Sequence, residues 1–64
     1  MEEVTGQSLA AQMEAFEAQC LRAALRQHHG EIKAVMEALQ IPRRTLNEKM
    51  QRHGVVREDY LEKE

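Results

Sequence analysis

From Leu9 onward the apolar positions fall three and four apart: Leu9, Met13, Phe16, Cys20 and Ala23 or Ala24, with Leu21 and Leu25 widening the stripe. That is the period of one helix face, so the spacing predicts a long amphipathic helix over about residues 8–28. Ser8 suits the N-cap, although Ala11 stands where a reciprocal capping glutamate would be. Ala10, Ala11, Ala15 and Ala18 add helix propensity. Neither Glu14 nor Glu17 has a basic residue three or four positions on, so ion pairs along the helix add nothing. Arg22 and Arg26 lie toward the end where the helix dipole favours cations, and Gly30 is expected to close the helix as a left-handed cap. At ~1.5 Å per residue such a rod is roughly 30 Å long.

A second apolar rhythm, Ile32, Val35, Met36 and Leu39, predicts a short helix over about 31–39, started by the acid of Glu31. Pro42 cannot sit inside a helix but tolerates the start of one, so it sets a break at Gln40–Ile41–Pro42. A third helix over about 42–53 then has Leu46 and Met50 four apart on its inner side, and Gly54 after it. Val55–Val56 is expected to pack back on the core. Residues 57–64 read as a charged tail in which Tyr60 and Leu61 add a weak contact. Residues 1–7 read as a polar, acidic, disordered leader. No stretch alternates as a strand does, and there are no repeats. The expectation is an all-α domain over residues 8–56. Two short helices joined by about three residues, the second with base-capable polar groups at its start, have the form of a helix-turn-helix.

Length and composition change this picture in one respect. Sixty-four residues with one Phe, one Tyr and no Trp make a small core of Leu, Ile, Val, Met and Ala. Chains this short are usually secured by disulfides, a metal or self-association. The single cysteine, Cys20, rules out an internal disulfide and a cysteine-based zinc site. The stripe of the first helix is also longer than two short helices can cover. It is therefore expected to pair with a copy of itself through Leu9, Met13, Phe16, Cys20, Leu21 and Ala24.

The net charge of −2 is unevenly spread. Residues 1–27 balance to −2 and residues 55–64 to −2. Between them, Lys33, Arg43, Arg44, Lys49 and Arg52 outweigh Glu31, Glu37 and Glu48 by +2. Screening limits each charge's reach to about 8–10 Å, so this local surplus on the third helix is what a polyanion would meet. No apolar run approaches the ~20 residues of a membrane span, and the start does not read as a signal peptide, so a cytoplasmic location is expected.

From Ser8 to about Val56 the chain resembles the Fis-type DNA-binding domain that closes sigma-54-dependent response regulators of the NtrC-like class. The residues that carry the resemblance are Gly30, the segment Ala34–Leu39, Ile41–Pro42–Arg43–Arg44–Thr45–Leu46, Lys49–Met50 and His53–Gly54. The run PRRTLNEKMQRHG looks most like regulators of dicarboxylate transport. Two positions depart from the pattern: Gln40 where a turn glycine is usual, and Met36 where a small alanine is common. Both point to lower stability than a typical member. The resemblance implies an intertwined homodimer whose long N-terminal helices join in a four-helix bundle. It also implies two recognition helices about one DNA turn apart on a palindromic enhancer or operator, in the bacterial cytoplasm at the nucleoid. In an intact regulator it implies ATPase and receiver domains on the N-terminal side. No Gly-rich phosphate loop and no paired acidic phosphorylation pocket lies in these residues.

On the third helix, with Leu46 turned inward, Arg43 and Asn47 have the reach for base edges, guanine and adenine respectively, and Glu48 can accept from a cytosine amino group. Arg44, Thr45, Lys49 and Arg52 suit phosphates, which set register without reading sequence. Lys33 and Arg57 lie at the margins. The bland alternative is a structural helical dimerisation module with a solvated charged face. Against it stands the cluster Arg43–Arg44–Thr45 directly after Pro42, which a mere bundle has no reason to carry. An enzyme is not expected, since no nucleophile–base pair stands at useful spacing, and no cofactor is implied. His28–His29 with His53 lack spaced carboxylate or thiol partners for a metal. Cys20 reads as a small core residue, with a symmetric interchain disulfide as the alternative.

Overall fold

A computed structural model describes residues 7–61. The leader expected over 1–7 and the last three residues of the tail therefore lie almost wholly outside the described residues. The chain forms three α-helices, α1 (Leu9–Gln27), α2 (Ile32–Leu39) and α3 (Arg43–His53), followed by a 3-10 turn at Arg57–Tyr60. No strand occurs among the described residues.

Ser8 caps α1: its hydroxyl accepts the Ala11 backbone N–H at 3.1 Å. All three helices end alike, with a residue in the left-handed region and the next N–H reaching back five residues. Gly30 N–H donates to Leu25 C=O at 2.9 Å, Ile41 N–H to Met36 C=O at 3.1 Å, and Val55 N–H to Met50 C=O at 2.8 Å. This closure satisfies carbonyls that the helix end would leave unpaired. At α3 the left-handed residue is Gly54, as glycine's missing Cβ favours. At α2 it is Gln40, with φ +58°, and at α1 the left-handed backbone begins at His29, φ +54°, one residue before the Gly30 expected there. Gly30 follows at φ +77°, in a place where a Cβ would lie 3.1 Å from the Arg57 carbonyl oxygen and 2.9 Å from Leu61 Cδ2.

Leu21, Leu25, Val35 and Leu46 are the fully covered side chains at the centre of the core, with Ala24, Met50 and Val55 around them. Ile32, Met36, Leu39, Ile41 and Tyr60 close its edges. Each helix touches both others, and the 3-10 turn lies against α1. The segment read as a charged tail is thus folded at least to Leu61. Tyr60 packs on the core, and the Arg57 side chain donates from Nε to the Gly30 carbonyl at 2.8 Å. Val55 is buried as expected, whereas Val56 stays 47% exposed.

The apolar stripe of α1 divides at about Ala18. Leu21 and Ala24, expected between two chains, are buried inside this one, at 2% and 8% exposure. Leu9, Met13 and Phe16 remain 72%, 57% and 59% exposed. Cys20, half-buried with a free thiol, lies between the two parts.

Candidate nucleic-acid interface

Pro42 is extended, with φ −70° and ψ 159°, and its carbonyl accepts the Leu46 N–H at 3.0 Å. The chain therefore turns sharply before α3, and the break between the two motif helices is a true corner. No side chain caps this helix start. The backbone N–H groups of its first turn, at Arg43, Arg44 and Thr45, have no partner within the helix and carry the positive end of its dipole.

Three faces follow from the placement of α3. The inner face is Leu46 and Met50, buried against α1 and α2. The outward face presents Arg43, Arg44, Asn47, Glu48 and Gln51, all exposed. Arg44 Nε lies 3.6 Å from Glu48 Oε2, one turn on, with 89% and 68% of the two side chains exposed. So exposed a pair contributes only a few tenths of a kcal/mol, roughly 0.3–0.5, and yields readily to a stronger partner. Beside this face runs a groove of about 760 Å³, floored by Met50 and Val55 and bordered by Val56, Arg57 and Glu58. It is open to solvent and encloses no chamber. Around its corner, Lys33 and Arg57 flank Arg43 and Asn47.

The third face turns to α1, and here the structure departs from the sequence reading. Lys49 Nζ donates to Glu17 Oε2 at 2.6 Å, and Arg52 Nη2 donates to Glu14 Oε2. His53, its side chain 9% exposed, sits between the two carboxylates, with Nε2 at 2.8 Å from Glu17 Oε1 and 3.7 Å from Glu14 Oε1. The carboxylate can only accept, so the shorter contact is an Nε2–H donation to Glu17. Hydrogen bonds from His53 and then Lys49 hold the Glu17 carboxyl at about 2, against an ordinary 4.5, and outweigh the opposing effect of burial. The two glutamates left without helical partners thus find them across the fold. Lys49 and Arg52, read from the sequence as phosphate ligands, are each already engaged by an acid. Thr45, half-buried, lies on the same side.

Glu14, Glu17 and His53 bring three donor atoms within 4.8 Å of one another, a geometry that could hold a metal ion and that spacing along the chain did not reveal. Both carboxylates, however, already bind a cation, two negative charges against two positive. A divalent ion would enter beside an ammonium and a guanidinium, and that repulsion argues against a metal centre. His28 and His29, grouped with His53 in the sequence reading, do not join it.

Residues 12–53 match the sequence pattern of the bacterial regulatory protein, Fis family. The chain is 44% identical over 59 residues to the C4-dicarboxylate transport transcriptional regulatory protein DctD of Rhizobium meliloti, covering 92% of this chain and 13% of that protein. It is likewise 44% identical over 48 residues to the DctD of Pseudomonas aeruginosa, covering 75% of this chain and 10% of that one. The chain thus spans about an eighth or less of the length of these relatives. No solved structure matches it.

Proposed function

The chain belongs to the Fis family of bacterial regulatory proteins, and we propose that it is the sequence-specific DNA-binding and dimerisation domain of a sigma-54-dependent response regulator. The coarser part of this is established: it is an all-α helix-turn-helix DNA-binding domain of a transcriptional regulator, and not an enzyme. The observation that carries the finer reading is the outward face of α3. Arg43, Arg44, Asn47, Glu48 and Gln51 stand exposed on a helix whose opposite face is locked into the core. A helix so mounted enters the ~12 Å major groove as a rigid body. Arg43 and Asn47 then meet base edges, and Glu48 accepts from a cytosine amino group. Arg44, Thr45 and the open backbone N–H groups of the first turn hold phosphates.

The exposed Leu9, Met13 and Phe16 support self-association through the first half of α1, with Cys20 at its margin. A two-fold dimer places two α3 helices on one side of the duplex, which matches a palindromic operator. The much greater length of the relatives leaves room for further domains, which the family resemblance makes an ATPase and a receiver on the N-terminal side of an intact regulator. Their names direct the search for operators to genes of C4-dicarboxylate transport. Among the described residues no helix is long and apolar enough to cross a membrane, in keeping with a place in the bacterial cytoplasm at the nucleoid.

Selection of bound sites from random duplexes tests the reading. The expected product is a palindrome with half-sites about 10–10.5 base pairs apart, centre to centre. Arg43→Ala should then weaken the selected site by ~1–3 kcal/mol and relax one position. Failure to enrich any sequence at low salt would leave the structural dimerisation module as the better account.

A further inference from the structure

Four cations stand on α3: Arg43, Arg44, Lys49 and Arg52. Of these four, only Arg43 has no acidic partner among the described residues. The Arg44–Glu48 pair lies on the outward face, largely in water. The other two pairs differ in kind, because they join α3 to a second helix.

We infer that Glu14 and Glu17 are specificity-determining residues: by holding Lys49 and Arg52 against α1, they keep two of the four cations of α3 off the phosphate backbone. The duplex is then met by the outward face and the first turn of α3, without Lys49 and Arg52. This rests on the DNA-binding reading above and goes beyond it, since it assigns a role in recognition to two acidic residues on the helix that does not enter the groove.

Three features carry it. The first is the tightness of the cluster. Lys49 and Glu17 meet at 2.6 Å with about a third of each side chain exposed, 31% and 32%, so the pair is partly shielded from screening water. Arg52 and Glu14 close beside it, and His53 donates to the remaining oxygen of Glu17. The second is what a phosphate would have to do. To recruit Lys49 it must strip away Glu17, leaving a carboxylate unpaired next to a polyanion. The gain of one ion pair is offset by the loss of another and by the repulsion. The third is direction. At about 100° per residue, Lys49 lies roughly 160° and Arg52 roughly 140° around α3 from Asn47. A register that presents Asn47 to the bases turns both cations toward protein.

Specific and random complexes therefore respond differently to unmasking. The specific complex has its register set by base contacts and gains little from cations on the far side. A random complex has no fixed register, and each exposed cation adds to its affinity through counterion release. Masking thus lowers binding to random sequence more than binding to the operator.

The test is a comparison of the 64-residue wild type with E14Q/E17Q, K49Q/R52Q and the quadruple variant. Each is titrated with a random-sequence duplex and with a duplex recovered by selection, over a range of salt, after circular dichroism has shown native helix content. For E14Q/E17Q on the random duplex, the slope of log affinity against log salt is expected to steepen by about 1–2, from ~0.9 per freed cation. Affinity for it at ~0.1 M salt should rise by up to roughly eightfold per cation, while affinity for the selected duplex rises less. K49Q/R52Q alone should leave the wild-type slope nearly unchanged, and adding it to E14Q/E17Q should abolish the steepening. Equal slopes for wild type and E14Q/E17Q would overturn the inference, as would a slope made shallower by ~1.8 in K49Q/R52Q, which would mean that both cations already touch phosphates. If E14Q/E17Q loses its helix content, the K49Q/R52Q slope decides alone. Absence of wild-type binding at low salt would instead sink the DNA-binding reading, and this inference with it.

Discussion

The two halves of α1 carry the same apolar rhythm and meet opposite fates. In the second half Leu21, Ala24 and Leu25 vanish into the core, with Leu25 wholly covered. In the first half Leu9, Met13 and Phe16 stand more than half exposed among the described residues. The cause is direction as much as reach. Helix α3 reaches back along α1 as far as Glu14, but the line of α1 that meets it carries Glu17 and Glu14 there. Phe16 lies roughly 100° and 160° around the helix from those two residues. In that same first half, Glu14 and Glu17 face α3 and bind its cations. A single amphipathic helix thus serves as core in its second half and, in its first half, as the acidic side of an ion-pair cluster on one face and an open apolar surface on another.

The sharpest way to break this contrast is to truncate one side chain in each half. Leu25→Ala should cost about 2–5 kcal/mol, which is most or all of the stability of so small a domain, and denaturant unfolding will read it. Phe16→Asp should leave the helix content of the chain intact and abolish self-association. Sedimentation equilibrium distinguishes the cases, and an unchanged mass would mean that the first half of α1 is not the contact between copies. A smaller effect, of opposite sign, is expected away from α1. Gln40 is exposed in a left-handed turn that makes no use of its side chain. Gln40→Gly should therefore raise stability by ~0.5–1 kcal/mol, seen as a higher denaturation midpoint. No gain there would show that some other contact holds the turn.

The smallest expected effect belongs to the ion-pair cluster of the first half. The folded pKa of Glu17 is lowered, from 4.5 to about 2, by His53 and Lys49, with Glu14 and Arg52 close by. A lowered carboxyl stabilises the fold fully above its unfolded value and less as pH falls through the folded one. Thermal unfolding of the wild type should thus lose a small increment between about pH 4.5 and 2, and Glu17→Gln should lack that increment. Identical acid profiles would show that the cluster adds no stability in solution.

Much of this architecture was legible in the residues because it is local. Steps of three and four identified the helices, and the ring of Pro42 marked the corner between the motif helices. Ser8 announced one helix start, and Gly54 one helix end. Gly30 and the break at Gln40 marked the other two ends. What the residues did not show is that the left-handed backbone after α1 begins one position earlier, at His29, because tertiary packing fixes where the chain must turn. The 3-10 turn at Arg57–Tyr60 was read as tail for a similar reason. Its apolar content is one tyrosine, and its anchorage is the Gly30 carbonyl, 27 residues away.

The outward face of α3 could be foreseen, since helical rotation from Leu46 suffices to place Arg43, Arg44, Asn47 and Glu48. The fate of Lys49 and Arg52 could not. Rules for charge pairs along one helix look three or four residues ahead, and here the partners lie 32 and 38 positions back. The same holds for the stripe of α1, in which covered and uncovered positions are chemically alike. Period, propensity and backbone restriction are properties of neighbouring residues, so the chain alone sufficed for its helices, its corner and its outward cations. Which leucine is covered and which arginine is spoken for depend on how distant segments meet, and that required the packed fold.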